Sequence, residues 1–204
     1  MKKLVIVGAG AHSAVIIDIF EQMGGYEIIG LTDEHPGGVL GYPVLGSDAL
    51  LPQLYADGVE CAFAAIGNNS IRSKVFQKIK EVGFEIPNAI SPRAVVSRHC
   101  MLADGIAVMP GAVINARAKI ENGVIINTKA SVDHDCLISE FVHVAPGCSV
   151  SGSTTIGAGT LLGTGTSVID RITIGKNVII GAGAAVVCNI PDGCKAMGVP
   201  AKMA

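Results

Sequence analysis

The sequence has few aromatic residues, no long apolar run and no excess of positive charge. Phe, Tyr and Trp together make up 4% of the 204 residues, and tryptophan is absent. Because half of the residues are nevertheless hydrophobic, the core must consist of Val, Ile, Leu and Ala, with 26 glycines available for turns. No apolar stretch approaches the roughly 20 residues of a membrane helix, so we expect no membrane association. The net charge of -2, without basic clusters, argues against nucleic acid as a major partner.

Two further absences concern the compartment of the protein. The charged and apolar start resembles a signal peptide, but Gly8 and Gly10 interrupt the apolar stretch, so a buried first strand is expected instead. None of the six cysteines forms a CxxC pair, which argues against a zinc cluster. We therefore expect a cytoplasmic protein whose thiols are reduced and mostly buried.

Residues 1–85 alternate between strand and helix patterns. Strands are predicted at 3–7, 27–31 and 61–66, and helices at 14–20, 47–55 and 71–82. Such alternation predicts a Rossmann-like α/β domain with a parallel sheet, whose loops gather at the carboxyl ends of the strands.

A glycine-rich turn follows the first predicted strand and opens the first predicted helix. The pattern Gly8-x-Gly10-x-x-Ser13 is a weak nucleotide-binding signal, because a helix N-terminus can hold a phosphate. Ser13 replaces the third glycine, and the domain is too short to bind a dinucleotide in two halves, so one nucleotide diphosphate fits better than NAD. For His12, a place at the helix start without any ligand is the alternative.

Residues 86–204 follow a different rule, a strict period of six. Every sixth residue from Ile90 to Val186 is Val, Ile or Leu, seventeen times in succession, and a small residue usually stands four positions later. Neither a helix nor an ordinary strand has this period, whereas a β-helix of three faces and eighteen residues per coil does. The pattern predicts five to six coils with the aliphatic side chains inside. General crossover statistics favour a right-handed winding, so the period alone does not give the hand.

One polar segment interrupts the repeats with residues suited to acid–base chemistry. Asp133-His134-Asp135 places an imidazole between two carboxylates. Histidine can remove a proton near neutral pH, and a neighbouring carboxylate can fix its tautomer and stabilise the imidazolium. A solvated surface loop is the alternative interpretation of the same residues.

The chain resembles the bacterial hexapeptide-repeat sugar acetyltransferases, which modify nucleotide-linked 4-amino sugars or sialic acid. Among them it is most similar to the UDP-N-acetylbacillosamine N-acetyltransferases. The likeness is carried by Gly8-Ala9-Gly10-Ala11-His12, Ala65-Ile66-Gly67-Asn68-Asn69, Asn115-Ala116-Arg117-Ala118-Lys119-Ile120-Glu121, Ile126-Asn127-Thr128, Asp133-His134-Asp135-Cys136, Val142-His143-Val144-Ala145-Pro146-Gly147 and Gly198-Val199-Pro200-Ala201-Lys202. The resemblance implies a left-handed parallel β-helix and acetyl-CoA as the acetyl donor.

The resemblance also implies roles for individual residues. His134 would be the general base, Asp135 would raise its basicity, and Asn127 would help to position the reacting groups. Acetyl-CoA would be contacted by His143, Gly152, Thr164 and Ala182. The nucleotide-linked sugar would be bound by the N-terminal domain through Gly10, Ala11, His12, Asp33, Gly67 and Ser70. The period itself places Gly152 one coil after His134, ~4.8 Å along the strand-pairing direction, where a glycine would leave room for a thioester.

The expected reaction is transfer of an acetyl group to the C4 amine of a nucleotide-linked 4-amino-4,6-dideoxy sugar for bacterial glycan biosynthesis, with UDP as the expected nucleotide. Relatives commonly have glycine where Ala11 stands, and some carry a second acid where Thr32 stands, which leaves the nucleotide base open. O-acetylation of sialic acid, N-acetylation of a GDP-linked 4-amino sugar and a non-enzymatic sugar-binding scaffold are the alternatives. No metal is expected, because the γ-type carbonic anhydrases that share this fold need three histidines around a zinc, and only His134 and His143 lie in suitable coils.

The spacing of His134 and His143 predicts a homotrimer with active sites between subunits. Nine residues are half a coil, so the two side chains lie on opposite sides of the prism. At ~3.3 Å per residue along each face, they are separated by more than ~10 Å of packed core. Three prisms around a threefold axis would bring His134 of one chain to His143 of the next.

Overall fold

The computed structural model describes residues 1–203, which divide into two compact units. The first unit ends at Pro92 and the second begins at Arg93. The domain boundary predicted after residue 85 lies between the end of the last helix at Val82 and a short strand at Ala89–Ile90. Within the described residues, no helix combines the length and the apolar character that crossing a membrane requires.

The first unit is the predicted α/β domain with a parallel sheet. The sheet has the order β3-β4-β2-β1-β5, and all its pairings are parallel except that of the edge strand β3 with β4. The elements are β1 (Lys2–Val7), α1 (Ala11–Met23), β2 (Tyr26–Thr32), β3 (Gly38–Val39), β4 (Tyr42–Gly46), a 3-10 turn (Asp48–Leu50), α2 (Leu51–Ala56), β5 (Cys61–Ala64), α3 (Asn69–Val82) and β6 (Ala89–Ile90).

The order of the strands explains the composition of the first. Strand β1 lies between β2 and β5, and its residues Leu4 to Val7 are at most 1% exposed because both faces of the sheet are covered. Helix α1 packs Ile16, Ile17 and Phe20 into the core. The predicted helix at 47–55 is instead a 3-10 turn followed by α2, because Pro52 can occupy only the first turn of an α-helix.

The second unit consists of two-residue strands that recur every six residues. They are β7 (Val95–Val96), β8 (Met101–Leu102), β9 (Ala107–Val108), β10 (Val113–Ile114), β11 (Lys119–Ile120), β12 (Ile125–Ile126), β13 (Ser131–Val132), β14 (Leu137–Ile138), β15 (His143–Val144), β16 (Ser149–Val150), β17 (Thr155–Ile156), β18 (Leu161–Leu162), β19 (Ser167–Val168), β20 (Thr173–Ile174), β21 (Ile179–Ile180) and β22 (Ala185–Val186). A three-residue strand β23 (Lys195–Met197) and an antiparallel strand β24 (Lys202–Met203) follow.

From β7 to β22, each strand pairs in parallel with the strand one coil away, as in the predicted left-handed parallel β-helix. Ile114 pairs with Val132 and Val132 with Val150, so the register advances by eighteen residues per coil. Three sheets result, and every third strand belongs to the same one. The fourteen periodic aliphatics from Val108 to Val186 are at most 2% exposed and fill the prism. Ile90, Val96 and Leu102 are only half-buried.

The corners of the prism require a left-handed backbone. Every sixth residue from Gly105 to Gly183 has a φ between 53° and 73°, which gives fourteen such positions. Seven of them are glycines, which adopt this conformation readily, and seven carry a side chain, among them Arg117 and Asp135. The sequence therefore keeps side chains at corners where glycine would be less strained.

Candidate active site

His134 lies at a corner of the β-helix, between strands β13 and β14. Its imidazole is 55% exposed, and Asp133 and Asp135 flank it within the same turn. Asp135 occupies the left-handed position of that corner, with a φ of 61°. The predicted Asp-His-Asp segment is thus an outward-facing group on a rigid scaffold.

Asp135 fixes which nitrogen of His134 can act as a base. The Nδ1 atom of His134 is 2.7 Å from Oδ2 of Asp135. Because an ionised carboxylate only accepts hydrogen bonds, Nδ1 carries the proton and donates it. The neutral ring therefore has its lone pair on Nε2, where a proton can be taken up.

Arg117 holds Asp135 from the preceding coil, a contact that the sequence analysis missed. Its Nε and Nη2 atoms donate to the two carboxylate oxygens at 2.6 and 2.7 Å, a bidentate pair. These bonds, together with the one from His134, hold the pKa of Asp135 well below its usual value. The signal was available in the sequence, since Arg117 stands eighteen residues before Asp135.

Asp133 is fixed in the same way. Its Oδ1 accepts the backbone N–H of His134 at 2.7 Å and the Nδ2 amide of Asn115 at 2.8 Å. Both bonds stabilise the charged carboxylate and lower the pKa of Asp133. Asn115 also lies one coil before its partner, so each acid beside His134 is held by a side chain eighteen residues earlier.

Gly152 lies directly beside the imidazole. A Cβ atom at this position would be 2.7 Å from Cε1 and 2.8 Å from Nε2 of His134, closer than real Cβ contacts. The space that the missing side chain leaves is therefore filled by the base itself. The stacking expected from the period is present, and its direct effect is to admit the ring of His134.

Asn127 pairs with His143, which lies on strand β15. The Oδ1 atom of Asn127 accepts the backbone N–H of Thr128 at 2.7 Å, which turns Nδ2 toward Nε2 of His143 at 3.0 Å. The amide donates, so Nε2 of His143 accepts and its proton is on Nδ1. The structure thus groups Asn127 with His143.

The four residues predicted to bind acetyl-CoA lie at two edges of the prism. Gly152 belongs to the His134 edge, formed by residues 133–135 and 151–153. Thr164 and Ala182 belong to the Asn127 edge, formed by residues 127–129, 145–147, 163–165 and 181–183, where the backbone N–H of each coil bonds to the coil before it. His143 lies on β15, immediately before residues 145–147 of the Asn127 edge.

The residues predicted to bind the nucleotide-linked sugar lie at the carboxyl ends of β1, β2 and β5. Asp33 follows β2, and its Oδ2 accepts the backbone N–H of Ala9 at 2.8 Å. The N–H of His35 donates to Oδ1 at 2.9 Å, and these backbone bonds lower the pKa of Asp33. A cavity of about 380 Å³ opens here, lined by Ala9, Gly10, Asp33, His35, Pro36, Gly37, Gly38 and Val44.

The loop after β5 is organised around a buried arginine that the sequence analysis did not identify. Arg72 is 2% exposed and donates to the carbonyls of Ile66 and Gly67, both at 3.0 Å. Burial lowers its pKa to about 10. Ser70 donates to Asn68, the residue whose side chain caps α3, at 2.9 Å.

Ala11 and His12 occupy the first positions of α1, next to Gly10. Burial, and then the charge of Arg72, lower the pKa of His12 to about 4. His12 is therefore neutral near pH 7. Among the described residues, no three His, Cys, Asp or Glu side chains are grouped as a metal site would require.

Two family models match parts of the chain. The PglD N-terminal domain model matches residues 3–79, and the bacterial transferase hexapeptide model of six repeats matches residues 153–187. Together they cover the α/β domain and the later coils of the β-helix.

Solved structures match the chain over its whole length. The acetyltransferase domain of PglB from Neisseria gonorrhoeae is 40% identical, with a TM-score of 0.96 and 100% of both chains covered, and it has also been solved with acetyl coenzyme A. A histidine-to-asparagine variant of perosamine N-acetyltransferase from Caulobacter crescentus, in complex with CoA and GDP-perosamine, is 41% identical, with a TM-score of 0.97 over 100% of this chain and 97% of that chain. WeeI from Acinetobacter baumannii, at 23% identity and a TM-score of 0.87 over the whole of both chains, shows a likeness of fold alone.

Proposed function

The chain belongs to the hexapeptide-repeat family of bacterial sugar acetyltransferases, and we propose that its acceptor is the C4 amine of a nucleotide-linked 4-amino-4,6-dideoxy sugar. It is an acetyltransferase that uses acetyl-CoA. The product of the proposed reaction is the N-acetylated nucleotide-linked sugar, a precursor for bacterial glycan biosynthesis.

The observation that carries the proposal is the state of His134. Its Nδ1–H is bound to Asp135, and its Nε2 edge lies beside Gly152. A histidine that is half-exposed, has a fixed tautomer and presents an unprotonated nitrogen is suited to general base catalysis. Asp135 stabilises the imidazolium once the proton has arrived.

In the proposed reaction the lone pair of the neutral amine attacks the carbonyl carbon of the acetyl thioester. Nε2 of His134 takes the proton that the amine nitrogen loses as the C–N bond forms. The tetrahedral intermediate then collapses, the C–S bond breaks, and the thiolate leaves. The imidazolium returns the proton to the sulfur, so the products are the acetamide and coenzyme A, and His134 is neutral again.

The proposed acetyl-CoA contacts are His143, Gly152, Thr164 and Ala182, with Asn127 holding His143. Gly152 and His134 lie at one edge of the prism, and the other three residues lie at or beside the Asn127 edge. The two edges bound the face that contains β13 and point away from each other at its two ends, so one chain does not bring both to one acetyl group. This arrangement supports a homotrimer in which the His134 edge of one subunit meets the Asn127 edge of its neighbour.

The proposed site for the nucleotide is the cavity beside β1 and β2. Its volume of about 380 Å³ lies within the range of small-ligand sites. Gly10 and Asp33 line the cavity, and Ala11 and His12 open helix α1 beside it, where backbone N–H groups can bind a phosphate. Gly67 and Ser70 belong to the loop that Arg72 organises.

UDP is the proposed nucleotide, and GDP is the second candidate. The likeness of the quoted motifs to the UDP-N-acetylbacillosamine enzymes supports UDP. The structure of the 41% identical perosamine enzyme with GDP-perosamine supports GDP. The proposed reaction and the role of His134 as the general base are the same for both nucleotides.

The test supplies acetyl-CoA with one of three acceptors, namely a UDP-4-amino-4,6-dideoxy sugar, GDP-perosamine or free sialic acid, and includes a control without acceptor. Release of the coenzyme A thiol gives the rate, and the mass of the sugar product shows whether one acetyl group was added. The proposal expects the largest kcat/KM with a nucleotide-linked amino sugar. A larger kcat/KM with sialic acid would overturn the N-acetyl proposal. The comparison of the UDP-linked with the GDP-linked acceptor decides which nucleotide the enzyme prefers. Unchanged thiol release without any acceptor would leave the acceptor proposal unsupported.

A further inference from the structure

Arg117, Asp135 and His134 form one chain of hydrogen bonds across two coils. The guanidinium donates to both carboxylate oxygens of Asp135, through Nε at 2.6 Å and Nη2 at 2.7 Å. The same Oδ2 that accepts from Nη2 also accepts from Nδ1 of His134 at 2.7 Å. The carboxylate that orients the base is therefore itself held in a fixed plane by a fork-shaped donor.

Folding stability alone does not account for this arrangement. A bidentate pair can stabilise a fold more than an ordinary surface ion pair, but the side chains of Arg117 and Asp135 are 69% and 34% exposed, so solvent screens their attraction. Both residues also occupy left-handed corners, each with a φ of 61°, where a residue with a Cβ is disfavoured. Seven of the fourteen equivalent corners carry glycine. Neither burial nor backbone conformation therefore favours a charged side chain at these two positions.

We infer that Arg117 is a positioning residue of the acetyl transfer, and that it acts on the base through Asp135. This inference rests on the proposed role of His134 as the base. The fork of Arg117 holds the carboxylate of Asp135, which accepts from Nδ1 of His134 and leaves Nε2 unprotonated beside Gly152. The positive charge of Arg117 also offsets that of the carboxylate, which limits how strongly Asp135 stabilises the imidazolium.

The charged groups around His134 show in which direction the charge of Arg117 acts on the imidazolium. Asp133 and Asp135 flank it in its own coil, and Arg117 faces Asp135 from the coil before. The next coil presents Gly152 between two serines, and the thiol of Cys136 points inward to the carbonyl of Ser151. Two coils after Asp135, Asp170 and Arg171 lie near each other as a pair of opposite charges. Removing the charge of Arg117 leaves two acids beside His134, which favours the imidazolium.

The test compares Arg117→Met, which removes the charge, with Arg117→Lys, which keeps the charge and loses the fork. Lys119→Met is the matched control, because Lys119 is an exposed residue of the same coil that faces outward from β11. Arg117→Met should lower kcat about tenfold, less than the roughly 10²–10⁴ expected for loss of the base itself, with the KM values for both substrates nearly unchanged. Arg117→Lys should recover part of this loss, and Lys119→Met should behave as the wild type.

A second readout is the pH profile of kcat/KM. Loss of Arg117 should move its acidic limb to higher pH, because both charged groups that remain beside the imidazole are carboxylates. In an Asp135→Asn background, Arg117→Met should cause no further loss, because the residue through which it acts is already neutral.

Additive losses in the double variant, a raised KM for acetyl-CoA, or an unmoved acidic limb of the kcat/KM profile would each overturn the inference. Activity that falls on His134→Ala and stays normal in Arg117→Met would remove the inference and leave the proposed function intact. If instead His134→Ala retains full activity, the proposed base is wrong, and the inference about Arg117 falls with it.

Discussion

The imidazole of His134 occupies the space in which a side chain at Gly152 would lie. The two positions are eighteen residues apart, and a Cβ atom at Gly152 would lie 2.8 Å from the nitrogen proposed to take the proton. Because the ring is at the end of a side chain, it can swing away from a methyl group at little cost to the backbone.

Gly152→Ala should therefore affect catalysis more than stability. Displacement of the ring should lower kcat/KM by an amount that approaches, and does not exceed, the roughly 10²–10⁴ of losing the base. The thermal midpoint should change little. Kinetics and a melting curve on the same sample check both points. In a His134→Ala background the effect through the ring is absent, so any further loss of kcat/KM there measures the proposed contact of Gly152 with acetyl-CoA, and no further loss would contradict that contact.

His134→Ala should lower kcat/KM by roughly 10²–10⁴, the range for loss of general base catalysis, while the β-helix stays folded. The side chain is half-exposed, so its removal opens no cavity in the core. Asp135→Asn should have a smaller effect, because Nε2 remains in place and only the stabilisation of the imidazolium is lost. Turnover close to that of the wild type in His134→Ala, with unfolding curves unchanged, would show that the base lies elsewhere.

The α/β domain should lose stability between pH 6.5 and pH 4 because of His12. Its pKa is lowered in the folded state from 6.5 to about 4, first by burial and then by Arg72. In this interval the unfolded chain binds a proton that the folded chain does not, so stability falls as the pH falls. The effect is at most about 3 kcal/mol, from 1.36 kcal/mol per unit of pKa. The melting temperature should depend less on pH over this interval in His12→Gln than in the wild type. Equal dependence in both proteins would contradict the lowered pKa of His12.

A trimer with shared sites should show complementation between two inactive variants. His134→Ala and His143→Ala subunits, dissociated together and reassociated, should form mixed trimers in which one of three interfaces pairs an intact His134 with an intact His143. Random mixing in equal amounts should restore about a quarter of the wild-type activity, since three quarters of the trimers are mixed and each has one intact site. Different affinity tags on the two variants prove the mixing. Absence of recovery in doubly tagged trimers, or full activity of a monomer in sedimentation, would contradict the shared site.

The period of six made the β-helix predictable from sequence, because its repeat carries three-dimensional information. Knowing that eighteen residues make one coil is enough to place Gly152 beside His134, and the structure confirms that stacking. The same arithmetic would have paired Arg117 with Asp135 and Asn115 with Asp133, had it been applied backward along the chain. The roles of these residues in the reaction stay predictions.

The α/β domain was predictable only in outline. Its alternating pattern gave the parallel sheet, but the two-residue edge strand β3 is too short to leave a signal. The burial of Arg72 depends on how α3 packs beside the loop after β5, and no local pattern distinguishes it from an exposed arginine. The contact between Asn127 and His143 joins residues sixteen apart, which is not a whole coil, so the period did not predict it.

The eighteen-residue register makes the whole coil the smallest length change that this protein can absorb while its aliphatic interior stays aligned. A duplication of one coil after Val186 would lengthen the prism and leave every contact of His134 as it is. Insertion of that same copied coil between Arg117 and Asp135 would keep the aliphatic interior aligned, yet it would separate the guanidinium from the carboxylate by one additional coil. Tolerance of coil insertions along the chain therefore distinguishes the part of the solenoid that serves as a spacer from the part whose neighbouring coils must stay adjacent.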